Sequence, residues 1–137
     1  MLHYMKTVLF VCIQNAGRSQ MAEAFFNRFA DGRAKAFSAG TQPADEVNPV
    51  AAQVMQEAGI DISGNKPRML TLEMLQSADR VVTMGCGDDP AGICPARIVK
   101  TEDWSLDDPK GKPIEKVREI RDTIRVKVTD MLKELGK

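Results

Sequence analysis

Val8-Leu9-Phe10-Val11 runs without a polar interruption and ends at the polar, glycine-containing stretch Gln14-Asn15-Ala16-Gly17. A strand wetted on one face alternates apolar and polar residues. A continuous apolar run is instead expected of a central strand covered on both faces, which implies a parallel sheet. The period then changes. Met21, Ala24, Phe25 and Phe29 recur at helical spacing, predicting a helix over 18–30 that Asp31-Gly32 closes. The alternation continues along the chain. Strands are expected over 6–12, 34–38, 79–84 and 97–100. One helix begins at Asn48-Pro49 and ends at Gly59, a short one is capped by Thr71, and the last spans 113–135. The expected fold is α/β: a four-stranded parallel sheet with helices on both faces, forming a single domain over 1–137. Ligands of such sheets bind beyond the carboxyl ends of the strands. The loops expected there are 12–19, 85–95 and 104–112, and all three cysteines fall in or beside them.

Charge and residue counts narrow the chemistry. Lys plus Arg and Asp plus Glu both number 19, so the formal net charge is +0. Such a chain has no general attraction for nucleic acid or anionic lipid, and neither is expected as a partner. The apolar run Val8–Ile13 is too short to cross a bilayer, and Met1-Leu2-His3-Tyr4-Met5-Lys6 lacks the features of an export signal. A cytoplasmic location is expected. The chain has 1 histidine, so any Ser-His-Asp or Cys-His chemistry would have to run through His3. A zinc site would need His3, Cys12, Cys86 and Cys94, which contain no Cys-x2-Cys pair, so no metal is expected. An odd number of cysteines in a reducing compartment argues against a static disulfide framework. The thiols are then either buried or reactive.

The segment Cys12-Ile13-Gln14-Asn15-Ala16-Gly17-Arg18-Ser19 links the first strand to the first helix. A tight loop at a helix N-terminus aims several backbone N–H groups at one point, and the helix dipole adds positive potential. A tetrahedral oxyanion fits such a cradle, and the Arg18 guanidinium can hold two of its oxygens. Cys12 opens the loop, so its sulfur is expected beneath the anion, where the same donors favour the nucleophilic thiolate. Ser19 can donate a hydrogen bond to that sulfur. Asn15 tolerates a left-handed backbone and can hold the curve of the loop. On the bland reading, Cys12 is a buried strand-end residue and Arg18 a solvated one.

The stretch Val11-Cys12-Ile13-Gln14-Asn15-Ala16-Gly17-Arg18-Ser19-Gln20-Met21-Ala22-Glu23 resembles the active-site segment of arsenate reductases built on the low-molecular-weight tyrosine phosphatase fold. Ser38-Ala39-Gly40-Thr41, Val47-Asn48-Pro49, Asp61-Ile62-Ser63, Val81-Val82-Thr83-Met84-Gly85-Cys86-Gly87-Asp88 and Trp104-Ser105-Leu106-Asp107-Asp108-Pro109 extend the likeness over nearly the whole chain. The resemblance implies that Asp108, the residue before Pro109, is the proton donor to the leaving oxygen. It also implies a relay. Cys12 attacks arsenate, Cys86 attacks Cys12 as arsenite departs, and Cys94 then attacks Cys86. The resulting Cys86–Cys94 disulfide would be reduced by thioredoxin, with phosphate or sulfate as substrate analogues and no cofactor. Gly85, Gly87 and Gly92 supply the pliability that such a relay needs.

Some relatives bind a monovalent cation beneath the loop through Asn, Glu, Ser and Asp. Asn15, Glu23 and Ser38 match the first three, and Arg68 stands at the fourth position. The expectation is that the Arg68 guanidinium replaces the cation and pairs with Glu23. Gly17 stands where some relatives carry a further cysteine. The competing reading is a tyrosine phosphatase with a Cys12 phosphocysteine intermediate. Lys110-Gly111-Lys112, in place of the aromatic residues usual after the Asp-Pro of such phosphatases, favours a small inorganic anion. A phosphocarrier or a pure oxyanion binder would need neither Asp108 nor three thiols. A monomer is the default expectation.

Overall fold

The computed structural model describes residues 5–85 and 99–136. Its elements run β1 (Lys6–Cys12), α1 (Arg18–Ala30), β2 (Ala34–Gly40), α2 (Pro49–Glu57), α3 (Leu72–Ser77), β3 (Arg80–Thr83), β4 (Glu102–Asp103) and α4 (Ile114–Leu135). The strands form one 4-stranded sheet in the order β2-β1-β3-β4, with every pair parallel. Because β2 and β3 flank β1 on opposite sides, the chain changes direction across the sheet at β1. The carboxyl ends of β1 and β3 frame the crevice that this switch creates.

The apolar run of β1 is buried on both faces, as its lack of alternation requires. Val8, Phe10 and Cys12 face a large core with residues of α1, α2 and α4. Leu9 and Val11 face a smaller cluster with Ala39, Val81 and Leu75 of α3. Phe10 sits at the centre of the first core, with ring centroids 6.0 Å from Phe26 and 5.4 Å from Trp104. Trp104 is therefore a packing residue. Among the described residues, no helix is long and apolar enough to cross a membrane.

Three expectations are corrected. Among the described residues the fourth strand is Glu102–Asp103; of the expected 97–100, Val99 packs on the smaller cluster and neither it nor Lys100 joins the ladder, while 97 and 98 lie outside the described residues. Its pairing, Val82 with Glu102 and Thr83 with Asp103, is supported by side chains, since Arg80 holds the Glu102 carboxylate at 2.6 and 2.7 Å. Such a strand carries no apolar pattern to read. On α1, Phe26 is buried and Phe29 is 38% exposed, because the buried stripe turns toward α4 one residue earlier than the spacing suggests. β2 also extends two residues beyond the expected Ser38, to Gly40.

Candidate active site

The turn from β1 into α1 is built so that its carbonyls point outward. The carbonyl oxygens of Cys12, Ile13, Gln14 and Ala16 accept from the backbone N–H groups of Thr41 (3.3 Å), Gln42 (2.8 Å), Ala44 (3.0 Å) and Asn48 (2.9 Å). The segment after β2 thus wraps the outside of the turn. Peptide planarity then turns the N–H groups of the loop toward its centre. Among the described residues, the N–H groups of Gln14, Ala16, Gly17, Arg18 and Ser19 donate to no protein group. Helix α2 is capped by the side-chain Oδ1 of Asn48 and α3 by the Thr71 hydroxyl. By contrast α1 has no side-chain cap, so its first-turn donors face the same centre as the loop.

Cys12 lies at the floor, 5% exposed. Its Sγ accepts from the Asn15 N–H at 3.2 Å and lies 2.9 Å from Ser19 Oγ. The Asn15 side-chain amide donates to Ser19 Oγ at 2.7 Å, which leaves the serine proton to point at the sulfur. Asn15 has φ 52, the left-handed conformation expected of it. Gln20 Nε2 donates to Asn15 O (3.1 Å) and Oδ1 (3.2 Å), and Asn65 Nδ2 donates to Gln20 Oε1 (3.2 Å).

The Arg68 expectation is corrected here. Its backbone N–H, not its guanidinium, donates to Asn15 Oδ1 at 2.9 Å, and its side chain is exposed. No ion pair joins Arg68 to Glu23 among the described residues; Glu23 instead accepts from the Ser38 hydroxyl. Backbone geometry, rather than charge, thus completes the support beneath the loop. Among the described residues, no group of three or more His, Cys, Asp or Glu could hold a metal ion, and His3, Cys86 and Cys94 lie outside them.

Arg18 is buried at the rim and its guanidinium is fixed by two other loops. Nη1 donates to the carbonyls of Met84 and of Leu106, the latter at 2.8 Å. Nη2 lies 3.9 Å from Asp108 Oδ2. The Asp108 side chain is 52% exposed, and its Oδ1 accepts the Lys110 N–H at 3.0 Å. Together Cys12, Gln14, Ala16, Gly17, Arg18, Asn48, Asp108, Pro109 and Lys110 line a small cleft. Ile13, Asn15 and Ser19 stand behind that lining, the last two against the sulfur.

Sequence reasoning did not single out Gly40, Gln20, Asn48 or Asp103 as site supports. A Cβ on Gly40 would lie 2.5 Å from the Ile13 carbonyl oxygen and 2.9 Å from the Asn15 nitrogen, so only glycine lets β2 pass beneath the loop. Gly17 is less tightly confined, since its Cβ would meet the ring of Pro109, with Cγ at 2.8 Å, rather than backbone. Asp103 is partly desolvated, which pushes its carboxyl up. The Ser105 and Thr83 hydroxyls and the N–H groups of Gly85 and Ser105 outweigh that effect and hold it below the usual carboxylate range.

The sequence model of the family described as low molecular weight phosphotyrosine protein phosphatase matches residues 7–137, covering the loop, Arg18 and Asp108. The chain belongs to that family. Its fold is the low-molecular-weight phosphatase fold, and its curated relatives include reductases. A putative arsenate reductase of Halobacterium salinarum is 44% identical over 132 residues, which are 93% of this chain and 91% of that protein. A solved arsenate reductase in a phosphate-binding state superposes with TM-score 0.79 at 34% identity, covering 95% of this chain and 98% of that one. A thioredoxin-dependent arsenate reductase of Corynebacterium glutamicum superposes with TM-score 0.80 at 33% identity, covering 100% of this chain and 66% of that one.

Proposed function

We propose that this protein is an arsenate reductase that uses Cys12 as nucleophile and thioredoxin as electron donor. The observation that carries the reading is the cleft itself. A thiol at its floor accepts from Asn15 and lies against Ser19, loop donors surround the space above it, and Arg18 and Asp108 meet at the rim. The names of the relatives support the same substrate for this chain.

In the proposed cycle the Cys12 thiolate attacks arsenic, forming an S–As bond. Asp108 gives its proton to the departing oxygen, which leaves as water. Arg18 and the loop N–H groups hold the remaining oxygens as charge builds on them. The Cys86 thiolate then attacks Cys12 Sγ. An S–S bond forms, the S–As bond breaks, and its electron pair stays on arsenic, so As(V) leaves as arsenite. Cys94 attacks Cys86, frees Cys12 and leaves a Cys86–Cys94 disulfide, which a thioredoxin dithiol reduces. Cys86 and Cys94 lie outside the described residues. Their part rests on the sequence and on Gly85, which precedes Cys86: it has φ 101, and a Cβ on it would lie 3.7 Å from Arg18 Nη1. The segment carrying the second thiol therefore starts beside the Arg18 guanidinium.

The phosphatase reading draws on the family match and on the same Cys12 loop. Variants separate the two. Arsenate turnover with a thioredoxin system is expected for wild type and lost in Cys12→Ser, Cys86→Ser and Cys94→Ser. Hydrolysis of an aryl phosphate, if present, is expected to need only Cys12. Equal arsenate turnover by wild type and the Cys86 and Cys94 variants refutes the relay. Aryl phosphate hydrolysis without arsenate turnover replaces the reductase reading with the hydrolase.

A further inference from the structure

The carboxylate of Asp103 does not line the cleft, yet it is tied to both loops that hold Arg18. Its Oδ1 accepts from the Gly85 N–H at 2.7 Å and the Thr83 hydroxyl at 2.8 Å, and Oδ2 accepts from the Ser105 hydroxyl at 2.7 Å. The Gly85 N–H and the Met84 carbonyl belong to one peptide group, and the structure contains no cis peptide bond among the described residues. A trans peptide points its N–H and C=O in opposite directions within a plane. Fixing that N–H on Asp103 therefore aims the Met84 carbonyl away from the carboxylate, and Arg18 Nη1 lies at its far end. The carboxylate also polarises the peptide, which makes its oxygen a better acceptor for a cation.

The second tie works through backbone strain. Ser105 has φ 48, a left-handed conformation that a residue with a Cβ adopts only when its surroundings enforce it. Its hydroxyl bond to Asp103 supplies that constraint. The next residue, Leu106, gives its carbonyl to the same Nη1. One carboxylate thus sets two carbonyls that converge on one nitrogen of the anion-binding guanidinium.

We propose that Asp103 is a positioning residue for oxyanion binding: through the Met84–Gly85 peptide and the Ser105 turn it fixes the plane of the Arg18 guanidinium over Cys12. This rests on the cleft being the oxyanion site, as proposed above. Asp108, on the cleft side, stays free to move its proton.

The test reads oxyanion affinity without turnover. Reduced protein is alkylated with iodoacetamide in rising inorganic phosphate, and the Cys12 peptide is followed by mass spectrometry. Asp103→Asn keeps the shape and removes the charge. Its phosphate-protection constant is expected to weaken about tenfold, the scale of one charge-assisted hydrogen bond. Ser105→Ala removes one of the ties and is expected to weaken it roughly threefold. Glu102→Gln, on the same short strand but bonded to Arg80, is expected to lower Tm and leave the constant at its wild-type value. An Asp103→Asn protein protected as well as wild type overturns the proposal. So does a Glu102→Gln protein that loses as much protection at an equal loss of Tm. If Asp103→Asn does not fold, unchanged protection in Ser105→Ala overturns it. A wild type protected by phosphate that turns over no arsenate refutes the reductase reading and leaves the role of Asp103 standing. A wild type that phosphate does not protect refutes both.

Discussion

The loop over 12–19 and the loop over 103–110 face each other across one cleft and are held by opposite means. In the first, backbone bonds to the segment over 41–48 take four carbonyls, and the side chains of Asn15, Arg18 and Ser19 are buried. In the second, side chains hold the backbone. Asp103 gathers Thr83, Gly85 and Ser105, Asp108 accepts from Lys110, and Ser105, Asp107 and Asp108 are exposed. The difference suits the two tasks proposed for these loops. Donors that stabilise developing charge work best when they are already fixed and need no reorganisation. A carboxyl that must give up a proton can stand on a lighter support, provided it reaches the leaving oxygen.

The sharpest way to break this comparison is Asp108→Asn. The proposed proton donor is lost while the Cys12 loop is untouched. The maximal rate of arsenate reduction is expected to fall about 10²–10³-fold with KM and Tm near wild type. A large rise in KM instead would show that the exposed loop also binds. Gly40→Ala attacks the other side. Its Cβ meets backbone atoms of Ile13 and Asn15, which cannot step aside as a flexible side chain can. A loss of roughly 1–3 kcal/mol in stability is expected, with weaker phosphate protection of Cys12, measured by thermal unfolding and alkylation. Full stability would mean that the inner loop is less rigidly held than its bonds imply.

The smallest effect lies away from both loops. Glu57 on α2 is held below the usual carboxylate range, chiefly by its hydrogen bond from Arg118 and further by Arg121, both on α4. A carboxyl depressed in the folded state stabilises the fold above its unfolded value, and that gain is lost as pH falls through the folded value. Glu57→Gln is therefore expected to lower Tm slightly at pH 7, and the difference is expected to shrink below about pH 4. Turnover per folded molecule is expected to stay constant. A change in turnover would tie the helix pair to the site.

The legible parts were those with local causes. The unbroken apolar run announced β1, Asn48-Pro49 and Thr71 announced their helix starts, and Asn15 announced a left-handed turn. That Cys12, Arg18 and Asp108 come together at one cleft agrees with residue type, loop position and the family pattern. What escaped had causes far along the chain. Glu102 and Asp103 pair as a strand because Arg80 and Thr83 bind their side chains, and no hydrophobic period marks them. Phe26 and Phe29 are one helical turn apart in sequence terms, and only the placement of α4 decides which is buried. The Arg68 guanidinium looked like a substitute for a cation, but its backbone proved to be the contributing group.

Sequence alone determined the alternation of strand and helix, the Cys12-bearing turn and the residue types able to hold an oxyanion. Each follows from neighbours in the chain, through periodicity, capping and loop conformation. Tertiary structure alone decided which way the loop carbonyls turn, how Gly40 passes beneath them, and how Asp103 reaches Arg18 through a peptide of another strand's end. Those depend on groups brought together across the sheet, where orientation is set by hydrogen-bond partners that the order of residues does not reveal.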